Sequence, residues 1–294
     1  MMLTVRSLVR LLRIRTLRSF ARTFGSCWAV LPARSLIIAP HPDDETFGLG
    51  GMIALQSRST ALKNRKAEIH IVFLTSGGAA HRNCCGISPQ ELGALRERTA
   101  RRATRLLGVP EENLYFLRLE DGAIPHPEEA GFDSAVLLLR SIVEQVKPDV
   151  IFAPHPFEGW SDHIAGEQMA RRVLDGKLGG GQRRLSRQGA SRKLCHYCVW
   201  VWFSMPILKA ARIQWKLARL MALAQGPVNS QKIDTMQPSP NQNVEFSAFE
   251  CKKAAINLYL EAKAPCGNPT CGVLPLELLE AVAWDRELSF LTRD

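Results

Sequence analysis

No uninterrupted apolar stretch in this 294-residue chain reaches the roughly 18 to 20 residues that a membrane-crossing helix requires, so it does not read as an integral protein. Cysteine is too sparse for a disulfide scaffold. Eight thiols in a chain of this length, two of them adjacent at Cys84-Cys85, suit a reducing, cytoplasmic setting better than an oxidising one. Acidic residues are missing from positions 1 to 34, which carry seven arginines, while the remainder holds 31 Lys/Arg against 28 Asp/Glu. The net charge of +10 is therefore mostly local to one end. Its basic residues are not interleaved with aromatics or set in a reading motif, so nucleic acid is not expected as a partner. Repeats are absent too: the one echo, Ala-Pro-His-Pro at 39 to 42 and 153 to 156, is too short to count.

With 46% hydrophobic and 22% charged residues, the chain is long and apolar enough to bury a full core. Short runs rich in Val, Ile, Phe, Tyr and Trp at Leu36 to Ala39, Ile69 to Thr75, Leu114 to Leu119, Val150 to Ala153 and Cys195 to Trp202 predict strands. Helical patterning lies between them at Glu45 to Ser57, Ser88 to Leu107, Glu128 to Val146 and Asp162 to Leu174, and again at Phe246 to Ala264 and Leu274 to Leu288. Alternating elements of these lengths predict a Rossmann-like three-layer α/β/α domain with a mostly parallel sheet. Residues 35–294 form that domain, with a basic loop and helix insertion at about 177–245. Within the insertion, Lys209, Arg212, Lys216 and Arg219 predict an amphipathic helix over 206–225, facing either a membrane or solvent. The pairs Cys195/Cys198 and Cys266/Cys271 have spacings compatible with a structural zinc, but in a strand Cys195 and Cys198 point to opposite faces.

Residues 1–34 are a separate extension. Leu8, Leu11, Leu12, Ile14, Leu17, Phe20 and Phe24 recur at helical spacing among the arginines, which predicts a basic amphipathic N-terminal helix. Three readings stay open for it: peripheral contact with the inner face of an anionic membrane, organelle targeting, or an inert extension.

Chemistry concentrates at strand ends. His41-Pro42-Asp43-Asp44-Glu45 follows the first strand, and Ser161-Asp162-His163 follows the fourth after a short loop. In open α/β sheets ligands bind outside the carboxyl ends of strands, so both fragments lie on the face where sites form. His41 and Asp44, three apart in a turn, can reach one ion, and His163 completes a two-histidine, one-carboxylate set for one zinc ion per chain. Asp43 then faces the open coordination position, where a water of lowered pKa would be the nucleophile. Glu45 suits the start of a helix and can orient His41, while Asp162 can cap its own helix or steer His163. Gly77 and Gly78, in the turn after the second strand, either admit substrate to the backbone or form a simple tight turn.

The His41-Pro-Asp-Asp-Glu segment and the Asp162-His163 pair resemble the two defining motifs of the PIG-L/LmbE family of zinc-dependent N-acetylglucosamine de-N-acetylases. Weaker echoes are Thr75-Ser-Gly-Gly, Arg96 in the helix ending Leu107-Gly-Val, and Lys252 to Tyr259. The resemblance implies hydrolysis of the N-acetyl group of an amino sugar in a glycoconjugate, with zinc on His41, Asp44 and His163, Asp43 as general base and Arg96 touching substrate. A lipid-linked or otherwise anionic conjugate would suit the basic helices. The chain departs from the pattern where the family reads His-x-Asp-His, because Trp160 replaces the first histidine, and Thr99 stands at a usual acid. The lost histidine's task then falls to Asp43 alone or to the nearby His155, or the enzyme is slow or altered, and Trp160 can stack on a sugar ring. Two rival readings follow: a metal amidase acting on another N-acyl conjugate, such as a thiol-conjugate sugar or an antibiotic, or a degenerate homologue that binds glycan or membrane without turnover.

Overall fold

Alternate side chains of an extended chain point to opposite faces, and β2 (Arg34–Ala39) sends Leu36 and Ile38 to one face and Ile37 and Ala39 to the other. All four are fully buried, which requires a sheet covered by helices on both sides. The computed structural model has that architecture and describes residues 4–28, 32–58, 67–81, 86–176, 192–204, 218–222, 247–262 and 274–292. On one face, α2 (Asp44–Arg58), α3 (Pro89–Leu106) and α7 (Ala248–Ala262) pack over Ile37, Ile71 and Phe73. On the other, α4 (Phe132–Val146) and α5 (Ser161–Asp175) cover Leu36, Ile38, Val72 and Leu74. In α4 the buried residues Phe132, Val136, Leu139, Val143 and Val146 recur at three- and four-residue steps. Each such side chain contributes about 1.5–3 kcal/mol by leaving water.

The remaining strands are β1 (Ser26–Cys27), β3 (Glu68–Thr75), β4 (Leu114–Leu119), β5 (Val150–Pro154), β6 (Lys193–Tyr197), β7 (Ala218–Ala222) and β8 (Arg286–Leu291). The sheet order is β1-β7-β8-β6-β5-β2-β3-β4, parallel throughout except that β8 runs antiparallel to both β6 and β7. The chain moves outward from β2 through β3 to β4, then returns to lay β5 against the other side of β2. Strand order reverses between β2 and β5, which opens a crevice at their carboxyl ends.

Three expected elements differ. The run from Cys195 to Trp202 is not one strand: β6 stops at Tyr197 because Glu158 captures the N–H groups of Val199, Trp200 and Val201, and a short α6 (Val201–Ser204) follows. The expected helix over 206–225 lies partly outside the described residues, and its 218–222 portion is strand β7. The expected helix over Leu274 to Leu288 is α8 (Leu276–Val282), and Leu288 belongs instead to β8. Cys195 and Cys198 are buried free thiols, and Cys266 and Cys271 lie outside the described residues.

Two further features brace the site. α3, which carries Arg96, is started by a capping box in which Ser88 and Glu91 exchange side-chain-to-backbone hydrogen bonds, with Pro89 at its first position. Buried Glu287 of β8 accepts from Lys252 Nζ and from the N–H groups of Gly51 and Met52, each at 2.7 Å, tying α2 to α7 and the sheet. Helix α1 (Val5–Phe24) folds back on the body: Ile14, Leu17 and Ala21 pack with Trp202, Trp284, Leu288 and Phe290. The apolar residues expected on one face are thereby divided, since Leu8, Leu12, Phe20 and Phe24 are exposed. No helix among the described residues is long and apolar enough to cross a membrane.

Candidate metal centre

The first half of the site is built by the turn leaving β2. Thr75 pins it, donating from both its backbone N–H (3.0 Å) and its hydroxyl (2.9 Å) to the carbonyl of Pro40. Asp43 sits at φ 139°, in a region strained for any residue with a side chain, and its carbonyl accepts from Thr46 and Phe47 to open α2. This turn gives the adjacent carboxylates different partners: Asp44 faces histidines and Asp43 faces an arginine. The second half comes from the first turn of α5, which presents His163 across the crevice.

His41 Nδ1 and His163 Nε2 each lie 3.3 Å from Asp44 Oδ2, with ring centroids 5.4 Å apart. One donor atom from each of the three residues lies within 4.8 Å of the other two. Burial works against a charged His163, yet the facing Asp44 carboxylate holds its imidazole up at about 9. Burial likewise works against ionised Asp44, and His163 with His41 holds its carboxyl well below the usual carboxylate range. The carboxylate thus demands positive charge between the rings, and a divalent cation meets that demand with the donor types of a two-histidine, one-carboxylate site.

The outer nitrogen of His41 is within hydrogen-bond range of carboxylates, the arrangement that fixes tautomer and orientation of a metal-binding histidine, whereas buried His163 Nδ1 faces a carboxylate at ion-pair range without a hydrogen bond. His41 Nε2 lies 3.1 Å from Asp162 Oδ2 and 3.2 Å from Asp121 Oδ1, and His163 Nδ1 lies 3.6 Å from Glu158 Oε2. These acids are held by backbone N–H groups: Gly122 (2.7 Å) and Ile124 (3.3 Å) donate to Asp162, Ala79 (2.6 Å) to Asp121, and Val199 (2.8 Å) to Glu158. His41, Asp121 and Asp162 form a second set of three donors, but their backbone partners mark the two acids as orienting groups for His41.

Asp43 lines the cavity beside the three donors, and burial raises its carboxyl to about 6 against the opposing pull of Arg96. Arg96 also lines the cavity, yet its hydrogen bonds go to Asp43 Oδ2 (2.9 Å), Pro42 O (2.6 Å) and Gly77 O (3.3 Å), so it clamps the Asp43 turn. Gly77 and Gly78 are not in the cavity wall. A Cβ on Gly77, which has φ 70°, would come within 2.7 Å of the Arg96 guanidinium, and one on Gly78 within 2.4 Å of Pro89 O, so both let α3 approach. Glu45 does not orient His41. It accepts from Thr46 Oγ1 (2.6 Å), Tyr259 OH (2.7 Å) and Asp43 N (3.1 Å), and burial pushes its carboxyl up to about 7.

His155 lies away from the cavity as well. It is buried against Phe157, His196 and Phe290, accepts at Nδ1 from Phe157 N, and is held down at about 3 by burial and by His196. It sits one residue past β5, before the loop that carries the chain back to the cavity. Trp160 stands at the cavity rim, 53% exposed, 5.5 Å from Trp200 between ring centroids. The cavity holds about 540 Å³, a small-molecule size, and its apolar wall includes Phe47, Leu92, Trp200, Tyr259 and Leu274. Asp121, Glu158, Trp200 and Tyr259 are site residues to which sequence reasoning assigned no role. Asp121 and Glu158 lie just beyond β4 and β5 on the carboxyl edge, so strand position was a usable signal for them; Tyr259 closes the Lys252 to Tyr259 echo, and Trp200 reaches the site only through tertiary packing.

Residues 36–174 match the PIG-L family, described as GlcNAc-PI de-N-acetylase. Among curated relatives, a probable N-acetyl-alpha-D-glucosaminyl L-malate deacetylase 2 of Bacillus anthracis is 30% identical over 139 residues, covering 46% of this chain and 57% of its own. A diacetylchitobiose deacetylase of Thermococcus kodakarensis is 27% identical over 131 residues, 44% of each chain. The chain thus spans about half the length of the curated relatives it matches. Among solved structures, a deacetylase triple mutant involved in the teicoplanin biosynthetic pathway shares the fold at a TM-score of 0.54 and 14% identity, covering 89% of this chain and 98% of that one.

Proposed function

We propose that this chain, whose residues 36–174 match the PIG-L family, is a zinc-dependent de-N-acetylase acting on an N-acetylated amino sugar in a glycoconjugate, releasing acetate. The observation that carries this reading is the Asp43 carboxylate, held at the cavity wall beside His41, Asp44 and His163 yet directed to Arg96. His41, Asp44 and His163 would hold the zinc, which when bound supplies Lewis acidity for the amide carbonyl and acidifies water. Asp43 takes the proton from the attacking water as the new C–O bond forms, then returns a proton to the nitrogen as the C–N bond breaks. Arg96 keeps Asp43 in position and favours its charged form. Asp162 and Asp121 hold the His41 imidazole in place, and Trp160 with Trp200 offers an aromatic surface to the apolar face of a sugar.

A lipid-linked or otherwise anionic acceptor is the finer part of the proposal, supported by the acid-free, arginine-rich stretch at residues 1–34. The variant Asp43→Ala should release no acetate, followed by proton NMR on N-acetylglucosaminyl conjugates, while binding one equivalent of zinc. Full activity in that variant would remove the assigned base. A panel of N-acyl sugars assayed by mass spectrometry separates acetyl from longer acyl groups.

A further inference from the structure

Ten large apolar side chains stand exposed among the described residues, and six of them sit on α1. Four fall in its first half at three- and four-residue steps, Val5 (81%), Leu8 (53%), Val9 (59%) and Leu12 (54%), and so form one stripe of helix surface. This stripe is not the face that packs on the body, which is formed by Ile14, Leu17 and Ala21. It continues along the outer side through the uncharged, exposed residues Thr16, Ser19 and Thr23. Exposed Arg6 and Arg15 flank it on opposite sides, and no acid occurs from residue 1 to 34.

Other arginines anchor the helix: Arg13 Nε donates to Trp202 O at 2.8 Å, and Arg18 donates to the carbonyls of Glu280 and Ala281. A helix fixed to a globular body by one face, with a second apolar face bordered by cations, is suited to the headgroup boundary of an anionic bilayer. α1 is also connected to the cavity rim. The Arg10 guanidinium lies over the Phe203 ring at 5.3 Å, Phe203 meets Trp200 at 6.2 Å, and Trp200 meets the exposed Trp160. Tryptophan is the side chain most at home at headgroup depth.

We propose that the outer face of α1 docks on an anionic phospholipid bilayer and so presents the cavity to an amino sugar carried at the lipid surface; that last clause rests on the deacetylase reading, whereas docking does not. The test floats the full chain with vesicles of phosphatidylcholine alone or with about 30 mol% phosphatidylglycerol. The expected result is partition onto the anionic vesicles only, weakening as NaCl is raised. The double variant Leu8→Asp/Leu12→Asp should lose about tenfold or more in partition, with unchanged hydrolysis of a soluble N-acetylglucosaminyl glycoside, since neither residue lines the cavity. Arg6→Gln/Arg15→Gln, which leaves the apolar stripe intact, should lose several-fold. No partition by the parent chain, or partition by both double variants equal to the parent's, overturns the proposal. So does a dimer in sedimentation velocity that the aspartate variant abolishes, because the stripe would then belong to a second copy. Vesicle binding with no hydrolysis of any amino-sugar conjugate upholds docking and sinks the deacetylase reading instead.

Discussion

The carboxylates behind His41 permit a quantitative test. Its Nε2 faces two acids at nearly equal range, Asp162 at 3.1 Å and Asp121 at 3.2 Å, and the single N–H proton there can be donated to only one at a time. Replacing a carboxylate that orients a metal-binding histidine costs about 10- to 100-fold in metal affinity, which is about 1.4 to 2.8 kcal/mol at tenfold per 1.4 kcal/mol. Asp162→Asn leaves Asp121 to accept the proton, so its effect should stay below that range, about threefold weaker zinc binding. Asp121→Asn should cost no more than that, because Asp162 also receives the N–H groups of Gly122 and Ile124 and is the better-fixed acceptor. With both changed, no carboxylate remains at Nε2, and the loss should approach about 100-fold. Zinc affinity measured by chelator competition on the purified chain reads this directly, without reference to turnover. Strictly independent effects, or a double variant binding within twofold of the parent, would refute the idea that the two acids share one proton.

Two further expectations concern the cavity wall and its support. Trp160→Ala should raise KM for a sugar substrate about three- to tenfold, the worth of an aromatic contact, with kcat nearly unchanged; a fall in kcat alone would place Trp160 in the chemistry rather than in binding. Gly48→Ala sets a Cβ 2.4 Å from Tyr197 Cδ2, whose ring is fully buried and bonded to Ile38 O. Overpacking of this kind costs about 1–3 kcal/mol, so the thermal midpoint should drop by roughly 3–10 °C. An unchanged midpoint would show that Tyr197 has room to yield.

The strands around the switch point were legible because each is a short, continuous apolar run ended by Pro, Gly or charge, and burial on both faces leaves no other use for such a run. The candidate donors at their ends were legible from residue type and spacing together with strand position. The far side of the sheet was less legible. The spacing of Leu278, Ala281, Trp284 and Leu288 continues a helical pattern, and only pairing with β6 and β7 draws Leu288 into an antiparallel strand. β6 ends early for a reason written 40 residues before it, in Glu158, whose carboxylate diverts three consecutive N–H groups from the ladder. The same long-range logic displaced Glu45. A carboxylate beside the ligands was the natural choice to orient His41, but Tyr259, distant in sequence, claims it.

The brace of Lys252 and Glu287 on the backbone of α2 gives the late part of the chain a share in the chemistry of the early part. Every group expected to touch the ion lies before residue 174, where the family likeness stops, yet Trp200, Tyr259 and Leu274, which close one wall, come after it. A fragment trimmed to the matched segment would keep His41, Asp44 and His163 but lose that wall and the packing of α7 on α2, the helix that presents Asp44. Substitutions in the later segment can therefore reshape the cavity wall while leaving His41, Asp44 and His163 untouched.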